Sequence, residues 1–448
     1  MSCTDVAVQP KTYSHIVLGL GATGLSVVRY LCARGIVPMV MDSRSNPPGS
    51  AQLAEEFPDV MLHTGGFDCR YLVQAQQIII SPGIALSTPE VRVALDMEIE
   101  VIGDIELFAR ELKDAAPNVL GITGSNGKST VTTLVGMMAE ADGKAIGVGG
   151  NIGTPALDLL GQGKELYVLE LSSFQLETTR SLNCIAATCL NISEDHMDRY
   201  TDLNGYREAK MTLYQQTHLS IYNRDDELSK PFEPGNLISF GLNEPDGDDW
   251  GLRDGMLVHG DSELMSIGDV ALIGRHNIAN VLAAMALADA AGISKDAMVK
   301  VASSFSGLRH RCERVARRNS VTWVNDSKAT NVGATAAALS GLEDYPGKVI
   351  LIAGGDGKGA DFSALKPLLE KVSTLITLGR DGDKIAALKD GAMPVKDMAE
   401  AVAKAAEVAE AGDIVLLSPA CASLDMYPNF MARGDDFRAQ VELLNGQG

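Results

Sequence analysis

The chain has 448 residues, a net charge of −20, 46% apolar and 21% charged residues. That length exceeds one hydrophobic core and predicts two or three domains, and the acidity argues against a nucleic-acid binder. The seven cysteines (3, 32, 69, 184, 189, 312, 421) are odd in number and contain no C-x-x-C, so neither a disulfide framework nor a zinc site is suggested, and a soluble cytoplasmic protein without membrane insertion is expected from the lack of a signal-like leader or a long apolar run.

The first apolar run, HIVLGL, leads into GLGATGLS at residues 19–26, where Gly19, Gly21 and Gly24 fit G-x-G-x-x-G. The next run, IVPMVMD, ends in Asp42, 18 residues after Gly24. This is a dinucleotide-binding fingerprint with a ribose-binding acid in place, and by itself it would suggest an NAD-dependent dehydrogenase. QQIIIS reads as a further strand, and GDIELFARELKDAAPN as a helix that ends this αβ series.

A second glycine loop follows the strand NVLGITG: Gly124, Ser125, Asn126, Gly127, Lys128, Ser129 and Thr130 open a helix. The strict G-x-x-x-x-G-K-[ST] pattern fails, because Ile122 stands where its first glycine belongs. The mechanism is nevertheless that of a P-loop: consecutive N–H groups and a helix N-terminus hold phosphate oxygens, Lys128 neutralises them, and the Ser129 hydroxyl can ligate Mg²⁺. The strand LYVLELS ends in Glu170, placed for a second magnesium ligand. After IAATCLNI, residues Glu194, Asp195, His196 and Asp198 crowd a strand-to-helix junction. Lys210 sits in a helical stretch, where the residues alone favour a solvated lysine.

Residues 235–273 have turn signals every few positions and predict a small β-meander. His276, Asn277 and Asn280 open the next helix, with 277 and 280 on one face. LRHRCERV supplies a basic cluster that includes Arg311, a plausible phosphate or acid clamp. Three polar clusters then follow apolar strands: Asp326, Lys328 and Thr330 in VNDSKATN, Asp356 and Lys358 in AGGDGKG, and Ser418, Ser423, Asp425, Asn429, Phe430 and Arg433 towards the C-terminus. Each falls where open αβ sheets bind ligands, and together they predict a pocket for a small charged molecule. The organisation is α/β throughout, divided at 1–106, 107–307 and 308–448.

Taken together, TGSNGKS, E-L-S-S, E-D-H-M-D, H-N-I-A-N, H-R-C-E and N-D-S-K-A-T resemble the signature blocks of the Mur ligase family of bacterial cell-wall synthesis, over residues 15 to 437. GLGATGLS, LELSSFQLE, NISEDHMDRY and SPACASLDMYPNFMARGDDF look like the member that joins D-glutamate to UDP-N-acetylmuramoyl-L-alanine. The resemblance implies a Rossmann-like UDP-binding domain, a central P-loop ATPase-like domain with the meander, and a C-terminal Rossmann-like domain. It implies ATP, two Mg²⁺ sites, and an acyl phosphate attacked by the D-glutamate amine.

By the same resemblance, the residues from Gly124 to Thr130 with Asn280, Arg311 and Asp326 contact ATP, the last three from two domains. Ser129, Glu170, His196 and Lys210 serve the metals, Lys210 as a CO₂-derived carbamate. Ala22, Thr23, Asp42, Ser43, Arg44, Gly83, Asn151 and His196 match contacts to the UDP-sugar, and Lys328, Thr330, Lys358, Ser423, Leu424 and Phe430 match the D-glutamate pocket. A monomer that closes on its ligands is expected. Three rivals are weighed against this. A dehydrogenase leaves the P-loop and Glu170 unexplained. Folylpolyglutamate synthases are related ligases without a separate N-terminal glycine-loop domain. A P-loop switch protein has no need of three ligand-facing clusters after residue 308.

Overall fold

The computed structural model describes residues 13–113, 118–197, 199–343 and 345–444. By contact the chain groups into two compact units, one of residues 1–192, 196–239 and 283–297, the other of 193–195, 240–282 and 298–448.

The first unit holds two parallel sheets. β1 (His15–Leu18), β2 (Met39–Asp42), β3 (Met61–Thr64), β4 (Gln77–Ile80) and β5 (Glu100–Ile102) lie in the order β3-β2-β1-β4-β5. β6 (Asn118–Thr123), β7 (Ile146–Gly150), β8 (Leu166–Glu170), β9 (Ala186–Cys189) and β10 (Ser220–Asn223) lie in the order β10-β9-β6-β8-β7. Strands such as MVMD and LYVLE are buried along their whole length, as parallel strands covered on both faces require. One apolar core runs from Val17 and Val40 of the first sheet, through Ile105 and Phe108 of the helix Asp104–Leu112, to Tyr167 and Leu169 of the second. Phe108 meets Tyr167 edge to face, with ring centroids 5.2 Å apart.

β11 (Leu237–Phe240) begins in this unit, and its last residue, Phe240, belongs to the second. There β12 (Trp250–Arg253), β13 (Met256–His259) and β14 (Ser262–Ser266) form an antiparallel meander, but Phe240 pairs with Trp250 in parallel. The predicted meander is therefore three strands long, because nine residues lie between Phe240 and Trp250 and no tight hairpin joins them. The remaining sheet comprises β15 (Glu313–Arg318), β16 (Val321–Asn325), β17 (Val349–Gly354), β18 (Val372–Leu378), β19 (Met393–Pro394) and β20 (Ile414–Leu417). Its order is β15-β16-β20-β17-β18-β19, with only β15 antiparallel. Separate apolar clusters cover its two faces, one around Leu351 and Leu365, the other around Trp323, Ile376 and Phe437.

These strand orders decide where ligands can go. Parallel strands leave a crevice at their C-terminal ends where the connections diverge to opposite sides. In the first sheet that point lies between β1 and β4, which end in GLGATG and SPGI. In the second sheet β6, flanked by β8 and β9, ends in the P-loop. In the third, β16, β20 and β17 are neighbours and end in the three polar clusters.

Candidate active site

The P-loop is built by backbone that only glycine adopts readily. Gly124 has φ +140°, and a Cβ there would lie 3.1 Å from Leu190. Gly127, with φ +88°, caps the helix Lys128–Ala141 in the left-handed conformation. Asn191, at the end of the β9 run, braces the loop: its side chain accepts from Asn126 N at 2.8 Å and donates to Asn126 O at 3.0 Å. Lys128 folds back on the loop, its Nζ donating to Gly124 O at 2.6 Å and Ser125 O at 2.9 Å. The Ser129 hydroxyl donates to Glu170 Oε2 at 2.6 Å, and Asn151 Nδ2 donates to Glu170 Oε1 at 2.8 Å. Ser129 and Glu170 are both buried. The turn Gly150-Asn151 wraps the end of β8 so closely that a Cβ on Gly150 would stand 2.4 Å from the Glu170 carbonyl oxygen.

Lys210 corrects the reading from residues alone. Only 1% of it is exposed, and its Nζ donates to Gly124 O at 3.0 Å. The helix Leu203–Met211 presents Tyr206 and Lys210, one turn apart, to the P-loop. Tyr206 is hydrogen-bonded to Ser125 Oγ at 3.2 Å and lies under the Lys210 ammonium, 4.6 Å from ring centroid to Nζ. His196 is exposed, in the left-handed region at φ 58°, with its ring 4.7 Å from that of Phe174. Glu194 is exposed and Asp195 half-buried, and Asp198 lies outside the described residues.

In the first sheet, Gly19 N–H donates to Met41 O and Ser81 Oγ donates to Gly19 O, tying the loop after β1 to strand β2 and to the loop after β4. A Cβ on Gly24 would sit 1.9 Å from Gly19 O, whereas one on Gly21 meets nothing within 4 Å. Ala22 and Thr23 open the helix behind it. Asp42 is already engaged: it accepts from Leu20 N at 2.8 Å and from Arg44 Nη2 at 2.6 Å. The Arg44 guanidinium holds its carboxyl down at about 2, so it is ionised and shapes the loop. Ser43, Arg44 and Gly83 are exposed beside it.

In the second unit, Asn280 donates to Asn277 Oδ1 at 3.1 Å, so the amides share a helix face as the spacing predicts. Asp326 is buried, accepting from Ser418 Oγ at 2.9 Å and Cys312 N at 3.1 Å; burial pushes its carboxyl up to about 6. Arg311 is half-buried on the short bridge Leu308–Arg311. The three polar clusters converge on Arg433, which donates to Ser327 Oγ and O, Cys421 O, Ala422 O and Gly354 O at 2.9–3.4 Å. Around this tie Lys328 lies over the Phe430 ring at 4.3 Å, Ser423 is buried, Thr330 is half-buried, and Leu424 and Lys358 are exposed.

Family comparison decides among the readings. Residues 13–103 match the MurD-like N-terminal domain of Mur ligases, 122–288 the Mur ligase middle domain and 310–421 the Mur ligase glutamate ligase domain. The chain belongs to the Mur ligase family. Its α/β architecture is the three-domain fold of that family. A UDP-N-acetylmuramoylalanine–D-glutamate ligase of Shewanella oneidensis is 68% identical over 97% of this chain and 99% of its own length. That of Nitrosococcus oceani is 51% identical over 97% of each chain. Among solved structures, a UDP-N-acetylmuramate-alanine ligase MurC from Thermotoga maritima aligns with TM-score 0.59 at 17% identity, over 96% of this chain and all of that one, which shows the shared fold. The dehydrogenase reading of the first glycine loop lapses, since that loop lies within a Mur ligase domain.

Sequence reasoning passed over Asn191, Tyr206 and also Arg199, whose guanidinium pairs with Glu177 at 2.7 Å and donates to Pro82 O at 2.9 Å. Asn191 carried a signal, an amide directly after a strand that borders the P-loop. The two others reveal themselves only through contacts distant in the chain.

Proposed function

We propose that this Mur ligase joins D-glutamate to UDP-N-acetylmuramoyl-L-alanine at the expense of ATP, in peptidoglycan precursor synthesis in the cytoplasm. The observation that carries it is the full-length identity of 68% to a ligase of that name. The site supports the chemistry. The substrate carboxylate attacks the γ-phosphorus and ADP leaves, giving an acyl phosphate. The amine of D-glutamate adds to the acyl carbon, and phosphate leaves from the tetrahedral intermediate.

Lys128 and the N–H groups of residues 124–130 hold the phosphates, with Lys128 turning from its loop carbonyls to do so. Asn280, Arg311 and Asp326 contact the nucleotide. Ala22, Thr23, Asp42, Ser43, Arg44, Gly83 and Asn151 hold the UDP-sugar, with the open direction at Gly21 facing the diphosphate. Lys328, Thr330, Lys358, Ser423, Leu424 and Phe430 receive the dicarboxylate. The domain boundaries proposed are 106/107 and 307/308, and the working state is a monomer.

The donor set fits Mg²⁺. The Ser129 hydroxyl and Glu170 carboxylate, 2.6 Å apart, are oxygen donors of the kind that an ion completing its shell with phosphates and water takes. Ser129 and Glu170 would hold one ion, His196 and Lys210 a second. When bound, Mg²⁺ neutralises charge developing on the phosphoryl oxygens. The Lys210 ammonium gives up one proton, and the neutral amine then adds CO₂ and releases a second to solvent, which replaces a buried cation beside the loop by an anionic carbamate.

Phosphate release measured with ATP, UDP-N-acetylmuramoyl-L-alanine and either D-glutamate, L-glutamate or another amino acid tests the reading. Turnover is expected with D-glutamate. Turnover with a different amino acid only would leave the family and remove this assignment.

A further inference from the structure

Arg199 has no part in the chemistry above, yet it makes three separate attachments within the first unit. Its Nη2 pairs with Glu177 at 2.7 Å, its Nη1 donates to Pro82 O at 2.9 Å, and its guanidinium carbon lies 4.1 Å from the centre of the Phe174 ring. The side chains of Arg199 and Glu177 are only 13% and 17% exposed. Glu177 also accepts from Tyr200 at 2.6 Å, so the arginine is held in one orientation. At one end of this clamp stands the loop after β4, with Gly83 next to Pro82. At the other stands Phe174, whose ring packs on His196.

Accepting the proposed function, those two ends belong to opposite ends of one substrate: the loop after β4 to the nucleotide, and His196, through the second Mg²⁺ it would hold, to the reacting end. We infer that Arg199 is a positioning residue that sets the spacing between them. A long, flexible substrate gains most from a site whose two anchor points are fixed before it binds. A planar guanidinium suits the task, because its fork can pair with a carboxylate, donate to a carbonyl and stack on a ring together.

The test is steady-state kinetics on Arg199→Ala and Arg199→Lys in the full chain, with melting temperature as a control. Arg199→Ala should raise KM for UDP-N-acetylmuramoyl-L-alanine about tenfold or more, the scale of one lost charge-assisted hydrogen bond, and leave KM for ATP within about twofold. Arg199→Lys should recover the melting temperature but not that KM. Recovery of KM by lysine, or an equal rise in KM for ATP, would overturn the inference. Should the alanine variant not fold, Glu177→Gln loosens the same clamp from its other side and should show the same split; an unchanged KM there overturns it. A wild-type chain that does not turn over the UDP-substrate sinks the activity reading itself. Turnover in the wild type with an unaltered KM in the variants sinks only the role of Arg199.

Discussion

Ser129 and Glu170 are joined by a 2.6 Å hydrogen bond between the start of the P-loop helix and the end of β8, with Asn151 on the second carboxylate oxygen. The carboxylate is thus oriented before any ligand arrives, and preorganised charge is what phosphoryl transfer uses. Glu170→Gln keeps the shape and removes the charge. Phosphate release should fall about a hundredfold or more, and the Mg²⁺ concentration for half-activity should rise. Near wild-type turnover would show that Glu170 is no metal ligand.

Lys210 is buried where a helix meets the loop backbone. Lys210→Arg keeps a cation there but has no amine able to form a carbamate, and turnover should drop about a hundredfold. With ¹³C-labelled bicarbonate, the wild type should show a carbamate carbonyl resonance that the variant lacks. An active wild type without that signal would leave Lys210 a positioning cation.

Two glycines of the first loop should behave oppositely. Gly24→Ala drives a methyl to 1.9 Å from Gly19 O, so backbone must move, and a loss of about 3 kcal/mol in denaturant unfolding is expected. Gly21→Ala meets no protein atom within 4 Å. It should fold with stability within about 1 kcal/mol of wild type and still raise KM for the UDP-substrate. An unaffected KM would mean that the open direction does not face the diphosphate.

Asp104 is a buried carboxyl at the start of its helix, 3.5 Å from Gln175 Nε2, and burial pushes it up to about 6. Its folded value lies above the unfolded one, so the stability it contributes is complete below about pH 4 and is lost as pH rises through about 6. Asp104→Asn should not follow that course. The melting temperature of the wild type relative to the variant should therefore decline between pH 4 and 6. Parallel curves would count against a buried titrating carboxyl.

Arg433 is 2% exposed and all of its observed hydrogen bonds go to backbone carbonyls and one serine, which burial reflects by lowering its value to about 10. Arg433→Lys cannot reach three loops at once. A loss of about 2–4 kcal/mol in chemical unfolding is expected, with KM for D-glutamate raised more than KM for ATP. If the stability were unchanged, the loops would be held together by other contacts.

Most plainly legible in the sequence were strands buried on both faces, such as Val349–Gly354 and Leu166–Glu170, where an unbroken apolar run is the signal. Sequence reading missed Met61–Thr64, Glu100–Ile102, Glu313–Arg318 and Met393–Pro394. All four lie at sheet edges, where one side is unpaired and charge or exposure is tolerated. Glu313–Arg318 is the clearest case: its start falls in the basic cluster LRHRCERV, and only its pairing with Val321–Asn325 makes it a strand. Within the site, residues carried by glycine-loop and strand-end motifs were legible. Tyr206, Arg199 and the burial of Lys210 were not, because each depends on a neighbour far along the chain.

Sequence alone determined the αβ rhythm, the two glycine loops, the acid at the end of β8 and the polar clusters beyond residue 308. Local chemistry suffices there: glycine permits the turn, and an apolar run compels the strand. Tertiary structure decided that Asp42 spends its carboxylate on Leu20 and Arg44, that Lys210 points into the P-loop, and that one buried arginine ties together three loops. Those outcomes follow from which strands lie side by side. The order of parallel strands, set by packing of the whole sheet, brings loops separated by scores of residues within hydrogen-bond reach.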